Sequence, residues 1–421
     1  MFQHRITGGK MGTSDVAGPV ELSMSDEFLA NPHPCLAAWR ENGPAQPVVL
    51  PDGRECWVVT HYPDVVNVLS SPHVSCDLSP ERSGADEVAP EVAEAFRSIR
   101  QGLFINMDPP DHTRLRKLVV REFSARRVEA LRPQVRAIAD RLLDALHGED
   151  EVDLVRSYSY AFPVSVLCAL LGIPEADAVQ FREWTNQALG FVGDPEKAPQ
   201  VVSAVNSFYA YFEELLDAKR RNPEDDLLSA LVTGAGGEVA DRELAGVALL
   251  LFVAGHETTS HSLALGVLSL LDHPAELAAV REDPTALAAH VDELLRYDGP
   301  STPGVFRFTT ADIQLDDTTI PAGSWVLASL AAANRDPERF ASPDALDFDR
   351  AENGHVAFGR GMHYCLGASL AKVEMEIGLG SLFERYPNLE LAVPVEKLRW
   401  RPGYMRAVEE LPVRLGPLRT P

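Results

Sequence analysis

Apolar residues recur at every third or fourth position through the middle of the chain, from about residue 90 to about residue 300. This spacing places apolar side chains along one face of an α-helix, so the pattern predicts a predominantly helical middle. Helices are predicted most clearly at 131–146, 208–220, 240–271 and 286–297.

Short segments of strand-forming residues lie nearer the two ends of the chain. One pair flanks Pro51-Asp52-Gly53-Arg54 and another flanks Asp316-Asp317, and both intervening sequences are typical of hairpin turns. We therefore expect a mainly α fold with small β-sheets, with one domain at 21–421 and a disordered tail at 1–20. The predicted strands are 47–50, 56–60, 312–315, 319–320 and 324–327.

The protein has 421 residues and carries 62 acidic against 38 basic side chains, a formal net charge of −24. This charge disfavours nucleic acids and anionic membrane surfaces as partners. The longest apolar run, 245–255, is too short to cross a bilayer, and the N-terminal residues lack the apolar core of a signal peptide. Five cysteines without a C-x-x-C pair argue for a reducing compartment, so we expect a cytoplasmic protein.

Cys365 lies in the glycine-rich stretch 358–367, FGRGMHYCLG. Glycines allow backbone N–H groups to approach a sulfur atom, and a helix predicted to follow at 366–376 would place its positive end nearby. Both effects lower a thiol pKa, and Phe358 would add an apolar wall. A single thiolate without a second cysteine or a histidine pair is a poor zinc or iron–sulfur site but suits the axial position of a haem. The alternative is a buried structural cysteine in a tight turn.

A second polar feature interrupts the most apolar predicted helix, where residues 255–261 have the sequence GHETTSH. A carboxylate and a hydroxyl buried in an apolar helix need partners or a task, and for Glu257 and Thr258 we infer proton handling. Thr258 can also bond the carbonyl four residues earlier and bend the helix, while Gly255 leaves space for a flat ligand. The alternative is a core helix that merely contains serine and threonine.

These stretches resemble the haem-ligand loop F-x-x-G-x-H-x-C-x-G and the oxygen-activation motif A-G-x-[DE]-T-[TS] of the cytochrome P450 family. The resemblance implies the family's triangular, α-rich fold with a β-rich subdomain, and a haem b, iron protoporphyrin IX, with Cys365 as its axial thiolate. It implies a monooxygenase in which Glu257 and Thr258 deliver protons, with electrons ultimately from NAD(P)H through a ferredoxin reductase and a ferredoxin. The other implied haem-contacting residues of the two motifs are Phe358, Gly359, Ala254 and Gly255.

Four further residues would hold the haem propionates by the same resemblance. His112 and Arg116 are four residues apart and share one face of a helix predicted to start after Pro109-Pro110. Arg307, on a predicted strand, and His363 match other propionate contacts of the family. Each of the four could instead form a surface ion pair.

The pair Glu293 and Arg296 matches the family's structural E-x-x-R motif. In many members an arginine further along the chain completes this pair. The corresponding stretch here starts at Pro343 and has Ala345 in the arginine's place. We therefore expect a departure in how the segment before Cys365 is anchored.

Basic residues cluster at 114–127 of this acidic protein. We interpret the cluster as a docking patch for an acidic electron-transfer protein, a ferredoxin, with a solvated helix face as the alternative. Its members are Arg114, Lys117, Arg121, Arg126 and Arg127.

The resemblance also implies a hydrophobic small-molecule substrate. RYDGP at 296–300 and MDPPDH at 107–112 are similar to stretches of actinobacterial enzymes that hydroxylate or epoxidise macrolides and related polyketides. Oxidative coupling or desaturation is the alternative reaction, and a non-catalytic haem sensor is the alternative class, against which the intact Glu257 and Thr258 argue. We expect a monomer with a substrate pocket lined by Phe104, Phe191, Val192, Leu249, Val253, Val305, Tyr404 and Met405.

Overall fold

The computed structural model describes residues 20–22, 24–51, 53–77, 100–189, 197–235 and 239–418. Within these ranges the chain is mainly helical with small sheets, which confirms the predicted fold class. The predicted tail lies outside the described residues except for Val20, which pairs with Val48 in the first strand.

Helices make up most of the described chain. In the N-terminal half they are α1 (Asp26–Ala30), α2 (His33–Glu41), α3 (Tyr62–Ser70), α4 (Asp111–Val119), α5 (Ala125–Asp144), α6 (Ala161–Leu171), α7 (Ala178–Leu189) and α8 (Ala198–Arg221). In the C-terminal half they are α9 (Leu227–Gly234), α10 (Asp241–Asp272), α11 (Pro274–Glu282), α12 (Leu287–Tyr297), α13 (Leu330–Ala333) and α14 (Ala368–Arg385).

Strands form one larger and two smaller sheets. The larger has the order β1-β2-β3-β9-β6-β4, and the smaller have the orders β10-β11-β5 and β7-β8. Strands β2 and β3 pair antiparallel as the predicted hairpin, whereas β3 and β9 pair in parallel. The strands are β1 (Val20–Glu21), β2 (Ala45–Val49), β3 (Glu55–Val59), β4 (Val74–Ser75), β5 (Glu151–Asp153), β6 (Val305–Thr309), β7 (Ile313–Leu315), β8 (Thr318–Ile320), β9 (Trp325–Ala328), β10 (Glu390–Leu391) and β11 (Pro412–Arg414).

Helix α10 is the central helix of the molecule and packs against α6, α8 and α14. Its first half, including Phe252, belongs to one buried apolar cluster, and its second half, including Leu263, belongs to another. The polar residues at 255–261 therefore lie between the two apolar clusters. A helix buried on nearly all sides is stabilised by this packing rather than by an amphipathic pattern.

The four clearest predicted helices correspond to α5, α8, α10 and α12. The expectation that strands lie only near the two ends of the chain is wrong. Strand β5 lies in the middle of the chain, where it pairs with β11. Helices α1 to α3 precede the region in which helical patterns dominate. A strand of three residues gains its stability from its partner, so its own sequence carries little signal.

None of the described helices is by itself long and apolar enough to cross a membrane. Among the described helices, α10 and α11 taken together are long and apolar enough to cross a membrane, but the pair is bent by 108°. All five cysteines are free thiols.

The segment that leads to Cys365 is anchored by Glu293 and two arginines. Arg296 donates to both carboxylate oxygens of Glu293, at 2.7 and 2.8 Å, and to the carbonyl oxygen of Ala345 at 2.7 Å. Arg350 donates from Nε to Oε2 of Glu293 at 3.0 Å. We expected the segment to be anchored differently because Ala345 stands in place of an arginine. That expectation is wrong, because Arg350, five residues later, supplies the third charge of the network.

Replacing Arg350 by leucine should destabilise the protein by about 3–5 kcal/mol, because it removes one cation from a buried carboxylate. The side chains of Arg350 and Glu293 are only 7% and 4% exposed. The shift of the denaturation midpoint measures the loss. The control is Arg339→Leu, whose ion pair with Glu352 is exposed and should contribute about 1 kcal/mol or less. Equal losses in the two variants would contradict the assignment.

Candidate active site

The loop that carries Cys365 is closed by its own backbone. The N–H of Cys365 donates to the carbonyl oxygen of Phe358 at 3.0 Å, and Gly359 adopts a positive φ of 71°. The aromatic ring of Phe358 lies 6.3 Å from that of Tyr364. The loop thus holds a half-buried thiol immediately before α14.

Gly361 fixes the loop against the end of α3. It has a positive φ of 71°, and a Cβ placed on it would lie 2.5 Å from the carbonyl oxygen of Leu69. No other residue type fits this position without moving backbone, since the close neighbour is a main-chain atom.

The pKa of the Cys365 thiol is raised, whereas the sequence predicts a lowered one. Burial raises its pKa above the ordinary value, and the N–H of Gly367 and the charge of Arg116 oppose this shift only in part. Helix α14 begins three residues after Cys365. The polypeptide alone therefore favours the neutral thiol, and a metal cation bound to the sulfur is the group that would stabilise the thiolate.

The four predicted propionate contacts include two histidines that meet in one place. The rings of His112, on α4, and His363, beside Cys365, lie 4.2 Å apart between centroids. Both ring nitrogens of His112 and Nε2 of His363 are buried without a hydrogen-bond partner. Burial and neighbouring positive charge lower the pKa of His363 to about 3. Two neutral imidazoles with unused polar atoms in a cationic site are what a ligand with carboxylate groups would satisfy.

The two arginines of this group have spare donor capacity. Arg116 donates to the carbonyl oxygen of Tyr364 at 2.6 Å, and Arg307, on β6, donates to that of Phe306 at 2.7 Å. Burial lowers the pKa of both guanidinium groups, which remain charged at neutral pH. Each guanidinium has five N–H donors, so the site fits a haem with two carboxylates.

Thr258 lies where the burial of α10 is interrupted midway along the helix. Val253, Ala254, Gly255 and Thr258 are partly or fully exposed, whereas the residues between them and on either side of them are buried. The Thr258 hydroxyl donates to the carbonyl oxygen of Ala254 at 2.8 Å, as the sequence predicts. Thr258 is therefore accessible midway along a helix that is buried over most of its length.

Gly255 has a different role from the one expected. A Cβ on Gly255 would lie 2.9 Å from Cδ1 of Leu167 on α6. The glycine therefore allows two helices to approach each other, and the space it leaves is filled by a side chain.

Glu257 is held by residues that sequence reasoning missed. Its Oε2 accepts from Arg401 at 2.6 Å and lies 3.1 Å from Nε2 of His261. Burial alone would raise its pKa, but His256, His261 and Arg401 outweigh this and hold the pKa well below the usual range. His256 and His261 are visible in the polar break, whereas Arg401 is 144 residues away in sequence and gives no local signal.

The predicted substrate-pocket residues lie in two kinds of environment. Phe104 and Leu249 are buried in the apolar cluster beside α10. Val253, Val305, Tyr404 and Met405 are partly exposed, while Phe191 and Val192 lie outside the described residues. The ring of Tyr404 packs edge-on against Phe306, which immediately follows Val305.

Two members of the predicted basic patch already form ion pairs with acidic side chains of the chain itself. Arg114 donates to Glu243 at 2.5 Å and Arg127 to Glu122 at 2.7 Å, so both are paired. Lys117, Arg121 and Arg126 are exposed. Beside them, a cleft of about 250 Å³ is lined by Val120, Tyr364 and Cys365 among others. Val120, Tyr364 and nearby Met362 are 45%, 41% and 50% exposed.

Comparison with known proteins agrees with this geometry. Residues 198–398 match the family model described as "Cytochrome P450". Cytochrome P450 107B1 of Saccharopolyspora erythraea is 42% identical over 416 residues, which cover 96% of this chain and 100% of that protein. The chain belongs to the cytochrome P450 family.

Other P450s show how far the similarity extends. 6-Deoxyerythronolide B hydroxylase of Saccharopolyspora erythraea is 38% identical over 398 residues, covering 93% of this chain and 98% of that protein. The tirandamycin C-bound structure of the P450 monooxygenase TamI is 39% identical, with a TM-score of 0.85 over 94% of this chain and 100% of that one. The family carries a thiolate-ligated haem, and its homologues are monooxygenases and hydroxylases.

Proposed function

We propose that this P450 inserts one oxygen atom of O2 into an organic substrate, by hydroxylation or epoxidation. The observation that carries the proposal is the partly exposed Thr258 hydroxyl on an otherwise buried α10, next in sequence to an ionised Glu257. Cys365 and the polar group of His112, Arg116, Arg307 and His363 support it, because together they fit a haem.

The chain's own residues would bind and orient the haem. We propose that the Cys365 sulfur would hold the haem iron, and that the polar groups of His112, Arg116, Arg307 and His363 would bind the two propionates. When bound, the haem would supply the redox chemistry of dioxygen. The protein's contribution is to fix the ligand, keep the site apolar and control protons.

Thr258 and Glu257 would control those protons. Thr258 offers a partly exposed hydroxyl, and its hydrogen bond to the carbonyl oxygen of Ala254 fixes the direction of that hydroxyl. Glu257 is ionised, and its Oε2 accepts from Arg401 while its Oε1 has no hydrogen-bond partner. Because the side chain of Arg401 is 30% exposed, it reaches the solvent from which protons come. We propose that movement of Arg401 connects Glu257 to that solvent.

Replacing Thr258 by alanine should uncouple electron consumption from product formation, because the hydroxyl that directs protons is lost. The amount of oxidised product formed per NAD(P)H consumed should fall by about tenfold or more. The matched control is Ser262→Ala, one turn further along α10, whose hydroxyl donates to the Thr258 carbonyl oxygen at 2.9 Å. If coupling is unchanged in Thr258→Ala, the proposed role is wrong.

We propose a polyketide-type substrate, such as a macrolide. One relative is named for hydroxylating 6-deoxyerythronolide B, and a similar structure holds tirandamycin C. The partly exposed apolar side chains Val253, Val305 and Met405 suit a large hydrophobic molecule. Such a substrate belongs to antibiotic or other secondary-metabolite biosynthesis.

A spectral titration tests this substrate class. Polyketides that enter the pocket should shift the absorption of the ferric haem as they displace water from it, whereas small aromatic compounds should not. A response to small aromatic compounds alone would exclude a polyketide-type substrate. If polyketides shift the spectrum but electron supply gives no turnover, the protein is a haem sensor rather than an enzyme.

We propose that a reduced ferredoxin docks over Cys365 and passes on electrons that come from NAD(P)H through a ferredoxin reductase. Exposed Val120, Met362 and Tyr364 would form the apolar centre of the contact. Lys117, Arg121 and Arg126 would attract an acidic partner, although the chain as a whole is acidic.

The triple variant Lys117→Gln/Arg121→Gln/Arg126→Gln should raise the KM for reduced ferredoxin by about tenfold at low salt, because it removes the attraction between opposite charges. Raising the ionic strength should narrow the difference from the unmodified protein. The control, Arg114→Gln/Arg127→Gln, removes two charges that are already paired and should have a smaller effect. A larger effect in the control would place the docking surface elsewhere.

A further inference from the structure

A second cavity lies away from the haem site. It has a volume of about 1050 Å³ and is bounded by α2, the last turn of α10, the end of α12 and segment 391–406. Small-molecule sites in proteins commonly have volumes of about 300–1,000 Å³. The cavity shares no lining residue with the site described above, so the monooxygenase reaction does not account for it.

Two helices end in this cavity. Leu268, Ser269 and Asp272 of the last turn of α10 line it, as do Tyr297, the last residue of α12, and Asp298, which caps α12. Helix C-termini carry partial negative charge, and natural helices usually place basic residues there. The last turn of the 32-residue α10 has no basic residue and contains Asp272 instead.

Negatively charged side chains outnumber positively charged ones in the lining of the cavity. Four carboxylates, of Asp272, Asp298, Asp344 and Glu396, line it together with two guanidinium groups. One guanidinium, that of Arg335, is paired with Asp344, and the other, that of Arg406, with Asp298.

His33 adds no positive charge to the cavity that it lines. Burial and the nearby arginines lower its pKa to about 2, so it is neutral at physiological pH. Asp272 and Glu396 therefore have no cation of the cavity left to pair with.

Asp298, which lines the cavity, has one carboxylate oxygen without a hydrogen-bond partner. Its side chain is only 10% exposed. One carboxylate oxygen accepts from Arg406, but the other, Oδ1, is buried without a hydrogen-bond partner. An unpaired buried carboxylate oxygen is costly, and a donor that reached it would recover that energy.

Apolar side chains form a further part of the lining. They are Leu268 and Leu271 of α10 and Leu391, Val393, Val395 and Trp400 of the C-terminal segment. A ligand would therefore have an apolar body as well as a positive group.

We propose that this cavity binds a small amphipathic organic cation, with its apolar part between α10 and segment 391–400 and its positive group among Asp272, Asp298 and Glu396. The two helix C-termini favour the same charge. The cation would bind independently of the substrate in the haem pocket.

Calorimetric titration of the haem-loaded protein with decylguanidinium tests the proposal. This probe is positively charged, has N–H donors and does not act as an iron ligand. We expect one molecule to bind per chain without a change in the Soret band, at least about tenfold more tightly than decanoate of the same chain length.

The variant Asp272→Asn/Glu396→Gln should weaken decylguanidinium binding by about tenfold, because two carboxylates are neutralised. The control, Glu214→Gln/Glu282→Gln, removes two exposed charges outside the cavity and should leave the affinity unchanged. Equal affinity for decanoate, unchanged affinity in the first variant, equal losses in both variants or a Soret shift that parallels binding would each overturn the proposal.

Discussion

The site depends on the burial of one sulfur atom whose negative charge the polypeptide alone does not favour. Burial raises the pKa of the Cys365 thiol, and one backbone N–H and one guanidinium oppose that shift only in part. The surrounding structure keeps the sulfur in place regardless of its charge. Gly361 packs against α3 on one side, and Glu293, Arg296 and Arg350 tie down the chain that precedes the loop. The polypeptide by itself thus positions the sulfur atom without ionising it.

Helix geometry places Glu257 and Thr258 in different environments. Successive residues of a helix point about 100° apart, so Glu257 and Thr258 face different surroundings although they are neighbours in sequence. Thr258 is on the open stripe, while Glu257 is buried against His261 and Arg401. The carboxylate is thereby kept ionised while the neighbouring hydroxyl remains accessible.

Acidic side chains lie at both ends of α10, but the helix dipole favours them only at the N-terminal end. At the start of the helix Glu243 accepts from the N–H of Ala240 and pairs with Arg114, an arrangement that the helix dipole favours. At its end Asp272 opposes the dipole and faces a cavity with unpaired carboxylate groups. Arg406 shows how such an end can be satisfied, since it donates to the carbonyl oxygens of Leu29 and Ala30 at the end of α1.

The sequence by itself determined the features that depend on near neighbours. These include the long helices, the hairpins, the loop around Cys365 and the Thr258–Ala254 bond, because each is set by residues within a few positions of one another. Tertiary structure decided the ionisation of Cys365, the packing role of Gly255 and the partners of Glu293 and Glu257. Arg350 lies 57 residues from Glu293, and Arg401 lies 144 from Glu257. No local pattern records such contacts, because burial and charge pairing arise only when distant segments pack together.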